Sequence, residues 1–198
     1  MTHSFSFFNS PFLSDVTIRQ VSNGKKTDYH GHKAVLCAHS SFFLKLFSEN
    51  PVKQENGNVI ELHDDDPLHF QRMLKFLYTS VLETHTQTNA LHLYTNPIAM
   101  YALAVKYGVE QLKVRAVAKF PSDWFLYQNV DWHAEVAEAH YSRCNEVGDQ
   151  MGIAIARTFL RGAKKFVKSP KFQETIKKYP VLAADVLSVS PLAEGKLW

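Results

Sequence analysis

Cysteine is scarce in this chain: Cys37 and Cys144 are the only two in 198 residues. Neither lies in a CxxC or any other ligand spacing, which excludes a disulfide-stapled scaffold and a cysteine-based metal finger. Both read as reduced thiols in an intracellular protein, with Cys37 acting as a small core hydrophobe. Long apolar runs are missing too, and no stretch approaches the roughly 20 apolar residues that span a bilayer. The opening MTHSFSFFNSPF has neither a basic leader nor a sustained apolar segment, so no signal peptide is expected. HExxH, Gly-rich phosphate loops and GxSxG turns are all absent. No repeat recurs at a fixed period. These absences predict a soluble, non-catalytic protein of cytoplasm or nucleus. No cofactor, resident metal, membrane contact or small-molecule substrate is expected.

What is present is ordinary globular composition, 45% apolar and 21% charged, with an unusual fourteen phenylalanines. The length suits one large domain, or one domain with a helical extension. The stretch His32 to Phe47, HKAVLCAHSSFFLKLF, is apolar at both ends and broken by Ser40 and Ser41. A serine pair there ends one short helix and caps the next. Helical spacing puts Phe43, Leu46 and Phe47 on one face, and so apolar a hairpin must be a core element.

Around it the chain reads in order. Val16 and Ile18 alternate with Thr17 and Arg19, which is strand period, and Asn23-Gly24 marks a turn. Thr27 to Lys33 resumes as a second strand, with a turn longer than the tightest type. Val59 to His63 is a third strand. Asp66-Pro67 starts a helix to about Tyr78, with the carboxylate capping free N–H groups and Asp64 and Asp65 adding negative charge to the helix start. Thr79 to Thr95 fits a short strand and a loop. Asn96-Pro97 then opens a helix that ends at Gly108, and Val109 to Phe120 forms another. Beyond Phe120 the pattern is all-helical. Asp131 caps a helix through Asn145, and Ser169-Pro170 starts the last. Ile153 to Val167 is amphipathic, with Ile153, Ala156, Phe159, Leu160, Ala163, Phe166 and Val167 on one side.

These blocks resemble the BTB/POZ domain signature. The matching residues are Ser14-Asp15-Val16-Thr17-Ile18, His32-Lys33-Ala34-Val35-Leu36 and Ser40-Ser41-Phe42-Phe43. Further along come Ile60-Glu61-Leu62, Asp66-Pro67, Phe70, Phe76-Leu77-Tyr78-Thr79, Ala104 to Val109 and Leu112-Lys113. The helical tail is similar to that of short, stand-alone BTB proteins of filamentous fungi. The resemblance implies an α+β fold, a small mixed sheet capped by a helical cluster. The expected organisation is a BTB/POZ domain over 14–120, an all-helical extension over 121–190, and tails at 1–13 and 191–198. It also implies a protein-interaction module that pairs with itself, with another BTB protein or with a cullin scaffold, the last as adaptor of a ubiquitin ligase. Asp15 and His32 are expected to hydrogen-bond structurally. The lead-in before Ser14 is short for a helix swapped between subunits. The cullin-binding hydrophobic-any-Glu motif falls on Pro51-Val52-Lys53-Gln54-Glu55, with Gln54 where Glu is expected.

By family position the candidate partner contacts are Phe47, Val52, Glu55 and Tyr78, though Phe47 and Tyr78 also fit plain core burial. Phe5, Phe7, Phe8 and Phe12 must pack on the chain itself or on a partner. An alternative function is binding nucleic acid or an acidic partner through Arg157, Arg161, Lys164, Lys165 and Lys168 on the polar face of the amphipathic helix. Charge must, however, sit opposite any apolar stripe, and no DNA-reading motif accompanies it. Five phosphate contacts would give a log–log salt slope of about −4.5. His30, His32, His63 and Asp64 to Asp66 are metal-type donors, but the fold signature claims His32 and the helix start claims the aspartates.

Overall fold

The structure is a computed structural model that describes residues 6–49, 58–83, 90–122, 130–166 and 168–190. It has two compact units, one formed by residues 1–85 with 103–115 and the other by 86–102 with 116–198.

The first unit is built on strands β1 (Val16–Ser22), β2 (Lys25–Gly31) and β3 (Val59–His63), in the order β2-β1-β3. β1 runs antiparallel to β2 and parallel to β3, so the sheet is mixed. Ile18 pairs with Tyr29 on one side and Ile60 on the other, and all three are buried. This is the period-two pattern expected of a half-covered sheet. The β1–β2 turn is tighter than its polarity suggests: only Asn23 and Gly24 separate the strands, both at positive φ (50° and 75°). Asn-Gly is the pair that tolerates a two-residue turn of this hand.

Helices α1 (Lys33–His39) and α2 (Ser41–Glu49) form the hairpin expected from the serine break. Ser40 Oγ accepts from the Phe43 N–H at 3.1 Å and donates to the Tyr107 carbonyl at 2.6 Å. The cap thus also fastens the hairpin to the end of a distant helix. Ser40→Ala removes one cap bond and leaves a buried carbonyl without its donor. A loss of about 2 kcal/mol is expected in urea unfolding.

Helix α3 (Pro67–Thr79) starts as expected, with Asp66 Oδ1 accepting from the His69 N–H at 2.9 Å. Asp65, however, takes no part in that cap. It is buried, its carboxylate accepts from Tyr107 Oη and from Lys106 Nζ at 2.7 Å, and its carbonyl accepts from Gln20 Nε2 at 3.0 Å. Burial first, and then this carboxylate, push the Tyr107 phenol far above its ordinary value.

Helix α4 (His92–Lys106) begins earlier than Asn96-Pro97, and Pro97 lies inside it. Residues 81–83 form no strand. Gly108, at φ 59°, turns the chain into α5 (Glu110–Lys119). The second unit adds α6 (Val130–Tyr141), α7 (Gln150–Phe166), α8 (Pro170–Lys178) and α9 (Pro180–Ser188). Ser169 caps α8 through the Phe172 N–H. Met151, Ile155, Ala156 and Phe159 form the buried line of α7, while Ile153 and Leu160 are only half-buried. The inward face is therefore rotated from the one the spacing predicts. No described helix is long and apolar enough to cross a membrane.

Candidate interaction surface

His32 stands between β2 and α1 in extended conformation (φ −123°). Its Nε2 lies 2.8 Å from the Phe12 carbonyl, which can only accept, so this nitrogen carries the proton. Nδ1 then accepts from Tyr78 Oη at 3.1 Å, while the His32 backbone N–H donates to the same oxygen at 3.0 Å. Burial raises the Tyr78 phenol above its ordinary value, an effect the His32 N–H partly offsets. Asp15 Oδ1 accepts from the Lys33 N–H at 2.7 Å. Both signature residues are thus held in structural hydrogen bonds, and these bonds claim His32 ahead of any metal.

This node anchors an N-terminal strap, residues 6–13. β2 is an edge strand, and Asn9 Oδ1 accepts the His30 N–H on it at 2.9 Å. Phe7 stands edge-on to His32 (centroids 5.4 Å) and stacks with Phe12 (6.3 Å), and Phe8 stands edge-on to Tyr78 (6.0 Å). The strap is pinned, yet Phe7, Phe12 and Leu13 remain 39%, 59% and 71% exposed. Leu13 sits at φ 58°, a region that L-residues with bulky side chains rarely occupy. Of the four N-terminal phenylalanines, Phe5 lies outside the described residues.

A second feature lies where the hairpin meets the α4–α5 turn. Ser41 N–H donates to the Gly108 carbonyl at 3.1 Å. Beside this contact runs a shallow groove of about 340 Å³, lined by Cys37, Leu44, Phe76, Ser80, Val109 and Gln111 among others. Leu44 is half out in solvent although its neighbour Phe43 is fully buried. Burial, with Asp15 adding to it, raises the Cys37 thiol above its usual range.

Phe47 and Tyr78 belong to separate clusters. Phe47 stacks on Phe43 (6.0 Å), with Lys33 Nζ 5.5 Å over its ring. Tyr78 supports the strap. Val52 and Glu55 lie outside the described residues. On the second unit, Arg157, Arg161 and Lys168 are exposed, and Arg161 donates to the Ser122 carbonyl at 3.0 Å. The side chains of Lys164 and Lys165 lie outside the described residues. Neighbouring cations on α8 are paired with α6: Lys178 with Glu138 at 2.7 Å and Lys171 with Glu135 at 3.7 Å. The Lys178 hydrogen bond is also the main reason the exposed Glu138 carboxyl is lowered.

Reading the sequence missed Leu13, Leu44 and Asn9. Leu44 carried a signal, being apolar and out of phase with the Phe43, Leu46, Phe47 stripe. Asn9 carried none, because its role depends on a strand edge distant in sequence.

A family model described as the BTB/POZ domain matches residues 5–120, more than half of the chain. Among curated proteins, the chain is similar to TD and POZ domain-containing protein 5 of Mus musculus, 38% identical over 89 residues. That match covers 44% of this chain and 24% of the mouse protein. TD and POZ domain-containing protein 4 of Mus musculus is 33% identical over 107 residues, covering 54% of this chain and 26% of that protein. The chain therefore spans about a quarter of the length of the curated relatives it matches.

Proposed function

This chain belongs to the BTB/POZ domain family and carries a protein–protein interaction module, and we propose that it works as a non-catalytic adaptor whose first partner is a second copy of itself. The observation that carries this reading is the strap. Its backbone and aromatic edges are held against the first unit, yet the stacked Phe7 and Phe12, and Leu13 beside Phe12 in the chain, keep much of their surface exposed. The exposed part of such apolar surface gains free energy on meeting another apolar surface, roughly 25 cal/mol per Å² removed from water. A two-fold pairing of identical straps is the simplest such surface.

Light scattering across a dilution series tests it. The expected mass is that of two chains at high concentration, falling toward one chain on dilution. Phe12→Ser with Leu13→Ser should shift the midpoint at least about tenfold, the effect of roughly 1.4 kcal/mol. High salt should leave the pairing intact, because it is apolar. A mass of one chain at every concentration would overturn self-pairing. Pull-downs, with the cullin scaffold as one bait, would then turn to the groove at Leu44 and to residues Val52 and Glu55. The working compartment under this reading is cytoplasm or nucleus, where Cys37 and Cys144 stay reduced. The exposed Arg157, Arg161 and Lys168 support an acidic partner as a second reading.

A further inference from the structure

The second unit brings together three side chains that no part of the adaptor reading uses. α6 ends at Tyr141, but the Cys144 N–H still donates to the His140 carbonyl at 3.1 Å. This extra turn puts His140 and Cys144 on the same side of the helix end. Asp149 opens α7, its Oδ1 accepting the Met151 and Gly152 N–H groups at 3.0 and 3.1 Å, while Tyr101 Oη donates to its Oδ2. One donor atom from each of His140, Cys144 and Asp149 lies within 4.8 Å of the other two. His140 is 4% exposed, and its Nε2 is buried without a hydrogen bond. That nitrogen points into the cluster, 3.2 Å from Asp149 Oδ1 but without hydrogen-bond geometry to it.

We propose that His140 Nε2, Cys144 Sγ and one Asp149 carboxylate oxygen form a three-ligand site for a single divalent ion of the zinc class. A thiolate and an imidazole together select zinc, cobalt or nickel over magnesium or calcium, which prefer all-oxygen shells. Three protein ligands leave one position of a tetrahedron for water or another small ligand. On binding, the Cys144 S–H bond breaks, the proton leaves to solvent and Sγ bonds the metal, with no change of oxidation state. The Tyr101 hydroxyl and the two α7 N–H groups orient the carboxylate, as outer partners do in metal sites. In sequence the set reads His-x3-Cys-x4-Asp, too sparse to single out without the turn that folds Asp149 back.

Cobalt(II) titration of the full-length, chelator-stripped chain tests the site. The expected result is one thiolate-to-cobalt charge-transfer band in the near ultraviolet, saturating at one equivalent and bleached by zinc. Cys37→Ser should retain the band and Cys144→Ser should abolish it, each checked by far-ultraviolet circular dichroism. His140→Gln and Asp149→Asn should each weaken binding at least tenfold, which keeps the test decisive if the cysteine variant misfolds. No band in the parent chain would overturn the proposal, as would a band that survives Cys144→Ser or follows Cys37.

Discussion

Phe43→Ala is expected to lower the unfolding free energy by about 3–5 kcal/mol, the range for emptying a buried phenylalanine site. Phe43 is fully buried at the centre of the α1–α2 hairpin. Its ring stacks on Phe47 and Tyr107, each with centroids 6.0 Å away, and meets Phe42 edge-on at 5.3 Å. The neighbouring rings are themselves held, Phe42 edge-on to Tyr107 at 5.0 Å, so they cannot collapse cheaply into the void. Against a total stability of roughly 5–15 kcal/mol for a typical domain, this is a loss of about a fifth or more. Leu44→Ser, one residue on, is the informative contrast. Leu44 is half in solvent and should cost under about 0.5 kcal/mol. Urea unfolding of both variants measures the difference. Equal losses would mean that the helix face is not the one described.

Gly152→Ala is the second large effect, and its sign is set by two opposed contributions. Within α7, alanine is favoured over glycine by about 1 kcal/mol of helix propensity. Against this, a Cβ at Gly152 would lie 2.5 Å from Asp185 Oδ2, 3.2 Å from Tyr141 Oη and 3.3 Å from His140 Nε2. Asp185 is fully buried, and its carboxylate accepts from Tyr141 Oη at 2.8 Å and the Gly148 N–H at 2.8 Å. Moving the carboxylate strips donors from a buried anion, which costs about 3–5 kcal/mol. The net expectation is a destabilisation of about 2–4 kcal/mol, seen as a lower thermal midpoint. A raised midpoint would show that α9 shifts to accommodate the methyl group. Burial raises the Tyr141 phenol first and the Asp185 carboxylate adds to it, so the donor keeps its proton.

Much of the fold was legible because its signals are local. Val16 and Ile18 announced β1, Asp66-Pro67 and Ser169-Pro170 announced helix starts, and the Ser40-Ser41 break announced the hairpin. A cap or a two-residue period is set by neighbours in the chain, so spacing alone reveals it. The start of α4 was not legible. Asn96-Pro97 looks like a helix opening, but Tyr94 is fully buried and meets Phe120 edge-on at 6.0 Å. Tyr94, Ile98 and Tyr101 then share a buried face, and the carbonyls of Ala90 and Leu91 begin the helix before the proline. Proline in the second turn forfeits a hydrogen bond, and burial of that face outweighs the loss.

By itself, then, the amino-acid order determined the mixed β and α succession, the capped helix starts and the family to which the first half belongs. Those features depend on residues a few positions apart. The tertiary structure alone decided where the polar groups go. It took Asp65 from the expected helix start to Tyr107 and Lys106, placed Asn9 on the edge of β2, and gathered His140, Cys144 and Asp149 at the head of α7. Each of these needs chain segments brought together by apolar burial. Hydrophobic periodicity reports which face turns inward, but not which polar partner will be waiting there.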